Sequence, residues 1–209
     1  MSVPLRTFAV LHDQLDAAAD VAPAMNVLLD AASEERPHED WARLRALAYP
    51  SGATFLREWL ERITAEDPPP SKADGLWFGL FTPVYDDGEA RADAYVRGCK
   101  FDPVDPDWAC SALWKPRGTY AHSDLLREVH RIAYGAPKGL GVDAEYPSVL
   151  GFTALSVAAW ARSSSATGAA VARQRRQLVV GFDAGDMIHL GEFDGGSFRR
   201  PREKFASVS

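Results

Sequence analysis

Cysteine is nearly absent from this 209-residue chain, which holds only Cys99 and Cys110. Two thiols at this length make no disulfide framework, and with no secretory leader in view both are expected to be reduced and partly buried. Long apolar runs are also lacking. The longest, Val149 to Ala161, has about 13 residues where about 20 are needed to cross a bilayer, so a buried helix is expected there and no membrane partner. Met1 to Val10 carries Arg6 but no apolar stretch leading to a small-residue cleavage site, and the expectation is a cytoplasmic protein. Asparagine and isoleucine are scarce while alanine and arginine abound, the usage of a GC-rich bacterial genome. Missing, finally, are any internal repeat and any self-sufficient catalytic, metal or phosphate-loop motif. Gly135, Gly139 and Gly141 follow a helix pattern and do not open one behind a strand, so they read as a helix stop and a bend.

What is present is an ordinary globular composition, 46% hydrophobic and 25% charged, with a net charge of −6. The charge is unevenly spread. Residues 1–106 hold 19 acidic and 10 basic side chains, whereas 107–209 hold 10 and 13. An acidic first half disfavours a phosphate backbone and favours a basic protein partner. The basic residues Arg173, Arg175 and Arg176 and the tail Arg199, Arg200, Arg202 and Lys204 sit in no nucleic-acid-binding motif, and no nucleic-acid partner is expected.

The periodicity predicts a single α+β domain with a helical N-terminal third over 1–66, a sheet with intervening helices over 75–194, and a flexible basic tail over 195–209. Phe8, Leu11 and Leu15 recur at helical spacing, followed by a break at Pro23 and a second helix through Val27 and Leu28. Trp41, Leu44 and Leu47 continue the pattern behind the acidic pair Glu39 and Asp40. Phe55, Leu56, Trp59, Leu60 and Ile63 form the clearest stripe, with Ser51 as the expected cap and Arg57–Glu61 and Glu58–Arg62 as surface pairs. Asp67 to Ser71, with three consecutive prolines, ends the helices.

Beyond it the period becomes two. Gly75 to Phe81 is apolar on both faces and is the expected central strand; Asp86-Asp87-Gly88 turns it into a partner with one wet face over residues 89–97. A third strand is expected over Trp108 to Trp114. Ser123 caps a helix with Leu125, Leu126, Val129, Ile132 and Ala133 on one face, Pro147 to Arg162 is a buried helix, and Ser163 to Ala170 a flexible linker. Leu178–Phe182 and Met187–Phe193, joined by Asp183-Ala184-Gly185-Asp186, make a second hairpin. The expected fold is therefore an antiparallel sheet built from two hairpins. The six tryptophans mostly fall at core-facing positions, with one or two available as anchors for a partner.

Three sets of residues are candidates for function. Cys110 with His122 or His130 and Asp183 would supply a thiol, a base and an orienting carboxylate for a small cysteine-dependent hydrolase or transferase. Asp183, Asp186 and His189 could ligate a metal, although turn geometry explains the two aspartates equally. Asp86, Asp87, Glu89 and Asp93 line the wet side of the first hairpin and would face a basic partner. No cofactor is indicated. The strand-turn-strand Leu178-Val179-Val180-Gly181-Phe182-Asp183-Ala184-Gly185-Asp186, with the acidic, tryptophan-bearing region before it, resembles the immunity proteins that protect bacteria from polymorphic toxins. That resemblance implies a non-catalytic, stoichiometric inhibitor seated on a basic toxin domain. A self-associating scaffold is a third reading.

Overall fold

The computed structural model describes residues 5–85, 88–105, 107–183 and 185–201. Four helices come first: α1 (Leu5–Asp16), α2 (Val21–Glu35), α3 (Asp40–Arg45) and α4 (Tyr49–Glu66). The break between the first two lies at Ala17–Asp20 and not at Pro23, which sits in the first turn of α2, where a missing N–H removes no intrahelical bond. Similarly, α4 starts at Tyr49 with Pro50 in its first turn, so Ser51 lies inside the helix instead of capping it. Arg57 meets Glu61 at 3.9 Å as expected, but Arg62 reaches Glu66 at 4.0 Å.

Among the described residues six strands follow: β1 (Gly75–Phe81), β2 (Asp93–Cys99), β3 (Ala112–Trp114), β4 (Arg176–Phe182), β5 (Met187–Asp194) and β6 (Ser197–Arg199). They form one sheet in the order β3-β2-β1-β4-β5-β6. The class is α+β, but the sheet is mixed. Both hairpins belong to it, joined by parallel pairing of β1 with β4, Trp77 opposite Val179. The reason is the connection: α5 (Asp124–Tyr134) and the long helical segment after it cross over the sheet and return the chain in the direction of β1, as parallel neighbours require.

That helical segment is α6 (Val142–Glu145), a π-helical turn (Tyr146–Gly151) and α7 (Phe152–Ala166) in unbroken succession. Pro147 has no N–H to return to residue 143, and the register slips by one at that point. The expected linker at 163–170 is thus helical to Ala166 and passes into a 3-10 turn at Ala170–Arg173. The tail is likewise ordered as far as β6, which pairs with β5; residues 202–209 lie outside the described residues. Ser123 caps α5 as expected, its Oγ accepting from the Leu126 N–H at 3.3 Å. Among the described residues no helix is long and apolar enough to cross a membrane.

All helices pack on one face of the sheet. Leu76, Phe78 and Leu80 of β1, Ala94 and Val96 of β2, Leu178 and Val180 of β4, and Ile188 and Leu190 of β5 share a core with Leu28, Leu60, Leu126, Phe152 and Trp160. The alternate residues face the other way and form a second cluster of Trp77, Tyr95, Cys99 and Val179, closed by Trp108 from the loop before β3. Both faces of β2 are therefore covered. All six tryptophans are buried, which makes them core residues and removes them as exposed anchors.

Candidate functional site

A cavity of about 760 Å³ forms a groove between α4 and the segment that leads into α5. Helix α4 presents Phe55, Glu58, Trp59 and Arg62, which share one side at helical spacing, and the facing wall is the five consecutive residues 118–122. Gly118 turns the chain into that wall with φ of 74°, a conformation natural to glycine, and its carbonyl accepts the Trp59 indole N–H at 2.8 Å. This bond ties the two walls of the groove together.

The wall is a short edge strand. The Val96 N–H donates to the Thr119 carbonyl at 3.1 Å and the Ala121 N–H to the Ala94 carbonyl at 2.8 Å, with Tyr95 and Tyr120 directly opposite. In an antiparallel ladder the groups of successive residues point to alternate sides. Since 119 and 121 bond to β2, the N–H and C=O of Tyr120, a residue lining the groove, point away from it at the edge of the sheet. The Tyr120 ring lies on the helix-free face against Phe81 and Tyr95, at centroid distances of 5.5 and 6.2 Å.

Asp93 and His122 close one end. Asp93 is only 2% exposed, so it does not belong to a wet partner-facing surface: β2 is covered on both sides there. Its carboxylate accepts from the Ala94 N–H at 2.8 Å, the His122 N–H at 2.9 Å and the Tyr85 hydroxyl at 3.1 Å, and lies 3.1 Å from His122 Nδ1. Two of these bonds hold His122 in the left-handed region, φ of 53°, which histidine tolerates better than most non-glycine residues. With Nδ1 engaged and the side chain 63% exposed, Nε2 is the nitrogen offered to solvent. Among the described residues, the hydroxyl-bearing side chains lining the groove are Thr119, whose Oγ1 donates to the Val96 carbonyl at 2.6 Å, and Tyr120.

The cysteine set is not assembled. Cys110 lies in a 3-10 turn (Trp108–Cys110) beside Cys99, which donates to the Ala109 carbonyl at the far end of β2. His122 is tied to Asp93 at the near end, and the six intervening steps of strand separate the two ends by about 20 Å. His130 stacks on Tyr134 along α5 at 4.7 Å, its pKa lowered by desolvation, and Asp183 accepts from the Tyr95 hydroxyl. The proposed metal ligands are also dispersed: His189 Nε2 meets Gln177 Oε1 at 2.7 Å, and among the described residues no group of three or more His, Cys, Asp or Glu is placed to hold a metal. Asp86 and Asp87 lie outside the described residues. Glu89 is exposed and pairs with Arg91 at 3.2 Å.

The two thiols differ in environment, and this gives a direct check. Burial pushes the Cys99 thiol up to about 11, whereas Cys110 is exposed. In the native protein a thiol reagent at neutral pH is expected to label one equivalent, at Cys110, with Cys99 following only on unfolding. Labelling of Cys99 at a comparable native rate, read by peptide mass, would contradict this burial.

Sequence reading missed the groove residues because their signal is not local. Phe55 and Trp59 were indistinguishable from core positions of one stripe, yet Phe55 is 41% exposed. The breakers Pro116 and Gly118, followed by four residues before the Ser123 cap, were the available hint of an extended segment. Compared with protein-family models, curated proteins and solved structures, the chain matches none.

Proposed function

We propose that the chain is a non-catalytic protein-binding protein of the cytoplasm whose groove receives an extended segment of its partner, as an immunity protein would when neutralising a toxin. The observation that carries this reading is the outward-pointing backbone of Tyr120 beside the apolar wall of Phe55 and Trp59. A segment lying between α4 and residues 118–122 would add one strand to the edge of the sheet, gaining main-chain hydrogen bonds from Tyr120 and side-chain contacts from α4. Glu58 and Arg62 at opposite turns of the same helix face would fix its register by charge.

A basic partner suits the net charge of −6. Tyr85 is tied to the groove end through Asp93 and His122, and the acidic sequence that follows it, Asp86, Asp87 and Glu89, would steer such a partner by its charge. No nucleic acid and no membrane enter the proposal.

The test is capture from a lysate of the source organism by wild-type protein and by Phe55→Asp, followed by titration of the captured protein and hydrogen exchange at Tyr120. The expected result is a basic protein bound at one to one, a loss of about 30-fold in affinity for the variant, and new protection of the Tyr120 amide. A partner bound equally by both proteins, with the Tyr120 amide unprotected, would remove the groove. Failure to capture any protein would end the binding reading.

A further inference from the structure

A second cavity, about 360 Å³, lies on the opposite side of α4 from the groove, between the α1–α2 turn, the Pro50, Ala53, Thr54 and Arg57 stripe of α4, and α7. It has the makings of an anion site. The first turn of α2 opens into it, and no side chain caps that 15-residue helix. The Ala24 N–H takes the Asp20 carbonyl at 3.0 Å, Pro23 has no N–H, and the amides of Val21 and Ala22 have no partner within the helix. From α7 comes Ser156, a lining residue 3% exposed, whose Oγ has no hydrogen-bond partner among the described residues. A buried hydroxyl left in that state is uncommon and calls for an acceptor.

Two guanidinium groups complete the lining. Arg57 pairs, among the described residues, only with the exposed Glu61, at 3.9 Å. Arg162 is half-buried, makes no hydrogen bond or ion pair with a described residue, and has its pKa lowered by burial and then by neighbouring Arg200, with Asp20 opposing. Arg200 is itself held by Asp16 at 3.0 Å. The cavity thus gathers amide, hydroxyl and guanidinium donors around one carboxylate, Asp20, at its rim.

We propose that this cavity binds a phosphate group, with the Arg162 and Arg57 guanidinium groups, the Val21 and Ala22 amides and the Ser156 hydroxyl as donors. Helix N-termini and arginine forks are the two commonest protein devices for tetrahedral oxyanions, and here they converge. Asp20 competes with the ligand and limits affinity. The site is independent of the groove, since α4 turns different stripes to each.

Calorimetric titration of the full chain with inorganic phosphate and with phenyl phosphate, against chloride at matched ionic strength, tests it. Saturable one-to-one binding is expected, weakened tenfold or more by Arg162→Gln, less by the exposed Arg57→Gln, and strengthened about threefold by Asp20→Asn, which keeps a competent N-cap. The gain from Asp20→Asn is a signature that a purely structural role for these residues would not produce. Tighter binding of the ester would assign the site to phosphate monoesters, and tighter binding of the free ion to phosphate itself. Heats no larger than those of chloride, or affinity indifferent to all three substitutions, would overturn the proposal.

Discussion

Replacing Gly79 by alanine is expected to destabilise the protein by about 3 kcal/mol, the upper part of the range for an overpacked core. Intrinsic preference runs the other way, because glycine inside a strand is worse than alanine by about 0.5–1 kcal/mol. Geometry decides the sign. A Cβ at Gly79 would sit 2.2 Å from Cζ of Tyr95 and 2.5 Å from its hydroxyl oxygen. The ring cannot swing aside cheaply: its oxygen accepts the Trp77 indole N–H at 3.0 Å and its hydroxyl donates to Asp183, and the Arg97 guanidinium lies over the ring, 4.5 Å from its centroid. For a chain of this size the loss corresponds to a fall of roughly 6–12 °C in Tm. Thermal melts of Gly79→Ala in wild-type and Tyr95→Ala backgrounds check the cause. The cost should nearly vanish without the Tyr95 ring, and an undiminished cost would show that the ring is not the obstacle. Because Tyr95 also backs Tyr120, the single variant should loosen the groove wall, seen as faster exchange at the Ala121 amide.

Arg176→Leu is expected to cost a similar amount, about 3 kcal/mol, by a different route. Arg176 is 2% exposed at the start of β4, and it forms no ion pair with a carboxylate among the described residues. Its guanidinium donates to the Pro69 carbonyl at 2.7 Å, the Pro70 carbonyl at 3.4 Å, the Val171 carbonyl at 3.1 Å and Gln174 Oε1 at 2.7 Å. One buried cation thereby ties the proline linker that ends α4 to the 3-10 turn that precedes β4. Leucine fills much of the volume but takes the guanidinium donor from the buried Pro69 and Val171 carbonyls, while the Pro70 carbonyl keeps the Ala73 N–H, and unpaired buried acceptors cost more than the bonds contribute. Lysine should recover little, since a point charge cannot span four acceptors set by a planar fork. Denaturant unfolding of the two variants is the check; Arg176→Lys at wild-type stability would show that charge alone, and not the fork, is what the site needs.

The helices and the paired strands were written locally. Period 3.6 in the first third, the Ser123 cap, the proline stop after α4, the two-sided run Gly75–Phe81 and the Asp-Gly turn of the second hairpin each act over a few residues, so elementary pattern and turn chemistry suffice to read them. The α+β class followed from these alone. The sites did not follow. Asp93 alternates with apolar neighbours and reads as solvent-facing, yet Tyr85 and His122 fold over it, from 8 and 29 residues away.

Parallel pairing of β1 with β4, the groove and the phosphate cavity share that dependence on distance in sequence. The groove sets α4 against residues 118–122, and the cavity sets the α1–α2 turn against α7, which no local pattern can juxtapose. Local propensity therefore determined most of the helices and strands, but not that both faces of β2 are buried. The crossover through α5–α7 decided which strands are neighbours, which carboxylates are buried and where donors converge, because those outcomes arise only when packing fixes the orientation of elements far apart in the chain.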